Sequence, residues 1–315
     1  MLLLHHLLIK FLANQDETGR SIFGLSESMA AILIPAVITL IVFVLGIIIR
    51  WVVRKREKRQ ELRAYKNIIL NWIEQIKKVV NRQVESCSNF STQLSEAENI
   101  QAERLSYNKL LVDKIEQISI DKYVNTFVIN STGEPEKNYE MTFKIIGQLK
   151  FLQDIEEHIP SIYEAYQKQT EEIMKEWNSN FAHFDSLVSN QTKALASNNQ
   201  NDSFHSDVLK IANNWRAQAP NGRSSVTFTF SNLIMPLSSL INQELKQNSD
   251  NVYAFDLSAC LQELRISYMK WEKLNQDFSA SFSQIAENIE KSYDDLQSAK
   301  SYFQSISLKY FFKIT

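Results

Sequence analysis

The chain has 315 residues, a formal net charge of −2, 44% hydrophobic residues and only two cysteines. That length leaves room for roughly one to three domains and a real core. A near-neutral charge excludes a strongly basic nucleic-acid surface, and two cysteines outside any C-x-x-C spacing exclude a disulfide framework or a thiolate zinc site.

In chain order, Met1–Ala13 is apolar apart from His5, His6 and Lys10. It has the length of a signal-peptide core without a basic leader, so it reads as a weak export signal or as an interfacial segment. Residues 1–28 form a short extracytoplasmic segment in either case. Met29–Ile49 then carries no charge. At the helical rise this stretch measures about 31 Å, matching a hydrocarbon core of roughly 30 Å, and a transmembrane helix over 29–53 follows.

Immediately beyond it, residues 54–66 hold Arg54, Lys55, Arg56, Lys58, Arg59, Arg63 and Lys66, whereas residues 1–28 hold only Lys10 and Arg20. The positive-inside rule puts the amino terminus outside and residues 67–315 in the cytoplasm. This collar has two meanings. It is a topology signal, and it is a contact for anionic headgroups worth on the order of 1 kcal/mol per Lys or Arg.

No Gly or Pro interrupts the chain between Gly46 and Gly133, and apolar residues recur in steps of three and four from Leu62. The spacing predicts one unbroken helix from the membrane to Ile118, loosened at the Ser-rich 86–95 stretch. Residues 121–136 carry turn chemistry at Asn130–Pro135 after a β-prone run, Tyr123–Ile129. A helix follows over 138–159 and ends at Pro160. Ser161 and Glu164 have capping-box spacing and open a second helix reaching Ser197. Beyond the polar loop 197–203, a shorter helix over 207–219 stops at Pro220-Asn-Gly222. Ser225–Phe230 alternates like a strand without a partner and leads into a helix over 232–247, with Pro236 in its first turn. Asp250 or Asn251 then caps the longest apolar stripe, 252–308, on which Trp271 and Phe278 are expected to be buried.

The fold expected is all-α: a single N-terminal transmembrane helix followed by an elongated antiparallel cytoplasmic helical bundle over 67–315. Stripes rich in Phe, Tyr and Trp favour a globular bundle over a two-stranded coiled coil.

Site chemistry is sparse. Gly133, Gly147 and Gly222 are the glycines beyond the membrane, so no phosphate-binding loop exists. His158, His183 and His205 lack the Glu-x-x-His spacing of di-iron bundles, and His158 is expected at a helix end as a dipole partner. Glu156–Glu157, Glu171–Glu172 and Asp294–Asp295 are adjacent pairs that splay around a helix. Tyr163, Tyr166, Trp177, Phe181 and Phe184 lie at core spacing. No catalytic, cofactor-binding or metal-binding residue is assigned, and the protein is not expected to be an enzyme. The chain end is unusual: Lys309, Tyr310, Phe311, Phe312 and Lys313 mix aromatics with positive charge. They form either a last turn docked on the bundle or an interfacial tail.

The functional expectation is a membrane-anchored scaffold or adaptor at the inner face of the cell membrane. Its partners are the lipid bilayer and an unidentified protein or a second copy of itself, with no nucleic acid. The alternative is an oligomeric membrane effector, pore-forming or bilayer-perturbing, of a toxin or phage-defence type. An Asn- and Ile-rich composition points to a bacterial inner membrane.

Overall fold

The computed structural model describes residues 27–107, 119–198, 200–219 and 225–309, with side chains from Ile32 onward. The expected segment 1–26, the 108–118 part of the first long helix, the 220–224 turn and the end 310–315 lie outside the described residues. The described residues are helical without a strand, as the periodicity predicts. The helices are α1 (Glu27–Gln75), α2 (Lys77–Ser95), α3 (Ile120–Tyr123), α4 (Pro135–Ser197), α5 (Ser203–Gln218), α6 (Val226–Thr229), α7 (Met235–Gln247) and α8 (Val252–Ser305). Two wide π-helical turns, Val124–Ile129 and Phe230–Ile234, continue α3 and α6. The chain divides into two units, one running to Tyr65 and the other spanning Lys66–Lys309.

In the second unit α8 is the common wall. Asn251 starts it by accepting from the Ala254 N–H at 3.0 Å, the cap expected from sequence. Its buried residues Leu257, Leu261, Leu264, Trp271, Phe282, Ile289, Leu296 and Phe303 follow the predicted stripe. Phe278 departs from it: the ring is half-buried, 5.4 Å from Tyr166. Residue order reverses across each seam. Along α4, Asn138, Lys144, Tyr166, Glu176 and Asn180 meet Tyr302, Asp295, Phe278, Lys270 and Cys260. Along the other side, Lys66, Glu74 and Ser91 meet Ile306, Lys300 and Ser279. The apolar centre is Phe90, ringed edge-on by Tyr163, Tyr166 and Phe282.

Four stretches fold otherwise than their local chemistry suggests. The first long helix does not run unbroken to Ile118: α2 ends at Ser95, and residues 96–107 form a non-helical strap. Its carbonyls are met by side chains, with Tyr166 donating to Gln101, Tyr163 to Glu103 and Ser86 to Ser106. Pro160 does not end a helix, and Ser161 is not a cap; α4 passes through both. Proline supplies no N–H to the Glu156 carbonyl four residues earlier. The Tyr107 hydroxyl donates to that carbonyl at 3.1 Å instead, while Ser161 donates back to His158. His158 consequently lies in mid-helix, not at an end.

The other two are the β-prone runs, the first not expected to form a sheet and the second expected to be extended. Tyr123–Ile129 and Ser225–Phe230 both coil into a helical turn followed by a π turn. A lone run cannot satisfy its backbone as a strand, whereas Ser225 caps the second coil by accepting from the Phe228 N–H at 3.1 Å.

Asn130–Gly133 forms the predicted turn, and it receives the chain end. Thr132 N–H donates to the Ser307 carbonyl at 2.8 Å, Lys309 N–H to the Asn130 carbonyl at 2.7 Å, and Ser131 bridges Leu308. Gly133 sits so close to Asn138 and Tyr302 that a Cβ would lie 2.6 Å from Asn138 Oδ1 and from the Tyr302 hydroxyl.

Phe282→Ala should cost ~3–5 kcal/mol, as complete core truncations do, and Phe278→Ala distinctly less because that ring is half-buried. Denaturant melts of the two variants in detergent check the order. The Lys300 hydrogen bond and charge hold the Glu74 carboxyl below its ordinary value of 4.5. The folded chain therefore gives up that proton more readily than the unfolded one, so the pair stabilises above pH 4.5 and its contribution is lost as pH falls below it. Glu74→Gln should flatten the acid limb of melting temperature against pH.

Candidate membrane-contact site

In the first unit the apolar side chains of α1 face outward on every side: Ile32 is 74% exposed, Leu40 61%, Phe43 65% and Ile49 60%. Ordering water around such a surface is costly, and a contiguous exposed apolar surface of this kind marks a contact site for a membrane or another protein. Among the described residues α1 is the one helix long and apolar enough to cross a membrane. Its interior contains Pro35 and Thr39, and the Thr39 hydroxyl donates to the Pro35 carbonyl at 2.7 Å. The one hydroxyl of the 29–49 stretch is thereby satisfied within the helix, which suits a medium without water.

At the end of this stretch the chemistry changes within one turn. Arg54, Arg56, Lys58 and Arg63 are exposed, and Lys55 and Arg59 are half-buried. Successive helical residues turn by about 100°, so the six spread over rather more than half of the helix circumference as a broad basic face. Lys55 Nζ lies 4.0 Å from the centre of the Trp51 ring. Trp51 was not singled out from sequence, although the i, i+4 spacing of Trp and Lys after an apolar run is the available signal. An indole beside an ammonium is the chemistry of the headgroup layer, apolar at one end and polar at the other.

At the other end of the chain, Lys309 is exposed but occupied: Nζ donates to the Ile129 carbonyl at 2.9 Å, and Leu308 beside it is buried. Tyr310, Phe311, Phe312 and Lys313 lie outside the described residues.

The remaining candidates are placed as follows. His158 and His183 are exposed, with His158 Nδ1 2.6 Å from the Asp154 carbonyl. Glu156 is buried and Glu157 exposed; Glu171 and Glu172 are exposed; Asp295 is held by Lys144 at 2.8 Å and Gln148 at 3.1 Å. No group of three His, Cys, Asp or Glu among the described residues is placed to hold a metal ion. Burial pushes the Cys260 thiol up to about 11 and raises Cys87 as well, which keeps both protonated and weakly nucleophilic. Trp177 and Phe184 are buried and Phe181 half-buried between them, 5.8 Å from Trp215. The Trp177, Phe181 and Trp215 rings border a surface cavity of about 280 Å³ together with Asn178 and Asp185. Most of the Trp177 surface is spent on its neighbours, as expected of a core residue.

No protein-family model matches the chain, and no curated protein or solved structure matches it. Function must therefore be argued from the side chains alone.

If Leu308 is what holds the chain end, Leu308→Ala should cost ~2–4 kcal/mol, whereas Lys309→Ala should cost about 1 kcal/mol or less, since the backbone bond to Asn130 survives it. Thermal melts of the two variants, and of a chain ending at Lys309, separate docking from any role of the residues beyond.

Proposed function

We propose that the protein is a single-pass membrane anchor carrying a cytoplasmic antiparallel helical bundle that serves as a scaffold or adaptor. The observation that carries this reading is the abrupt junction in α1, where side chains exposed on an apolar surface give way within one turn to a cluster of Arg and Lys. Such a junction lies at the boundary between acyl chains and anionic headgroups, with the basic end inside. The collar residues Arg54, Lys55, Arg56, Lys58, Arg59 and Arg63 touch the inner leaflet, and Trp51 marks its depth.

The scaffold part of the reading is supported by the helical unit itself. Its long antiparallel seams use their apolar residues on one another, while Tyr139 and Phe143 on α4 and Phe255 and Met269 on α8 stay exposed at 55%, 38%, 65% and 61%. Exposed aromatic and Met side chains on rigid helices are characteristic of protein contact surfaces. A protein partner or a second copy of the chain is the expected occupant.

Reporter fusions after Ser203 test the orientation. A reporter active only in the cytoplasm should work, and one active only outside should be silent. Replacing Arg54, Lys55, Arg56, Lys58 and Arg59 by Gln should allow a fraction of the molecules to invert. Activity of the outside reporter on the unaltered chain overturns the proposal.

A further inference from the structure

One polar cluster away from the collar joins three helices through a single imidazole. His205 is buried in the first turn of α5, the only one of His158, His183 and His205 that is. Its Nε2 lies 2.9 Å from Thr192 Oγ1 on α4, and its Nδ1 lies 3.1 Å from the Tyr253 hydroxyl on α8. The Thr192 hydroxyl spends its proton on the Val188 carbonyl at 2.8 Å, so towards His205 it accepts. Nε2 must then carry the proton, and Nδ1 is bare and accepts from Tyr253. The fold thus defines the neutral tautomer from both sides.

A second proton would go to Nδ1, where it meets another donor. Tyr253, which is half-buried, would have to turn its O–H away, and that proton has no other described acceptor among the protein groups. The groups around the ring do little to offset this. Asp202 is the nearest charge; its Oδ1 is engaged by the N–H groups of Phe204 and His205 at 2.9 and 3.3 Å. From α4 the facing group is the uncharged Thr192, and from α8 it is Tyr253, whose proton burial retains. The Phe230–Ile234 turn has no charged residue, and on α7 Glu244 is held by Asn251 at 2.9 Å, leaving Lys246 exposed. The amino end of α5 also opposes a positive charge.

The rest of the α5 attachment is mostly apolar: α5 also packs on α7 and the Phe230–Ile234 turn, with the Phe204 ring 5.8 Å from Tyr253 and Trp215 5.8 Å from Phe181. Phe204, Val208 and Ala212 are buried, and the one further polar tie described is a half-exposed pair, Arg216 with Asp185 at 3.7 Å. Pairs of that kind contribute little. We propose that His205 is a proton-operated latch, neutral when α5 is docked against α4, α7 and the Phe230–Ile234 turn with its first turn tied to Tyr253 of α8, and releasing α5 when it becomes protonated. Burial lowers the affinity of His205 for a proton more than Asp202 raises it, so its folded value lies below the ordinary 6.5. The latch therefore stabilises fully above pH 6.5 and gives way as pH falls through that lower value.

Hydrogen–deuterium exchange on the full chain in detergent at pH 7.5 and 5.5, corrected for the intrinsic rate, tests this. Peptides from Ser203–Gln218 should lose several-fold protection at pH 5.5, up to the roughly tenfold that a single site with an ordinary value of 6.5 allows, while the Phe282–Phe303 part of α8 is unchanged. His205→Gln keeps a donor and an acceptor without a titrating ring, and should remove the pH dependence. If that variant melts early at pH 7.5, His205→Asn serves the same purpose. Equal α5 protection at both pH values overturns the latch, as does an equal loss in the wild type and the variant that remains folded. Slow exchange at His205 Cε1 reads its titration directly, and a midpoint at or above 6.5 is equally fatal.

Discussion

The second unit depends on one constraint: α8 is a 54-residue helix whose apolar stripe must be covered along its whole length. No single short helix covers a surface of that extent. Two long partners lie antiparallel against it, α4 on one side and the end of α1 with α2 on the other. Phe90, Tyr166 and Phe282 interlock where the three meet. Polar pairs such as Ser91–Ser279 and Lys144–Asp295 then set the register of seams that apolar contact alone would let slide.

Covering α8 forces the chain to leave helical geometry at defined places, and each departure creates backbone groups that need partners. Tyrosine hydroxyls do much of this. Tyr163 and Tyr166 hold the strap 96–107 against α4, and Tyr107 returns from the strap to the carbonyl that Pro160 leaves without a donor. The strap and the proline-containing helix are thus mutually required. A proline in mid-helix persists because a side chain more than forty residues away in sequence meets the orphaned carbonyl.

The two units solve opposite problems. From Lys66 on, most apolar side chains turn inward, and many of the polar groups that follow them, such as Ser91, Asn138 and Lys300, are bonded. Along Ile32–Val53 the apolar side chains turn outward, the lone hydroxyl of Thr39 folds back on its own helix, and charge returns abruptly as a collar. A lipid phase and a helix core are both dry, so one sequence alphabet would serve both under the proposed reading, with the basic collar at the change of solvent.

Sequence alone determined the helical class, the apolar span with its basic collar, the stripe of α8 and its Asn251 cap, because these rest on period, length and charge within one segment. The Asn130–Gly133 turn was legible for the same local reason. The fate of Pro160, the end of α2 at Ser95 and the coiling of Tyr123–Ile129 and Ser225–Phe230 were decided only by tertiary structure. In each of them a side chain remote in sequence, or the lack of any strand to pair with, outweighed local preference. Of the candidate site, the collar was readable as composition, and the Trp51–Lys55 contact as spacing. The cluster of Thr192, His205 and Tyr253 left no sequence signal, since its members are 13 and 48 residues apart and only the packing of three helices brings them together.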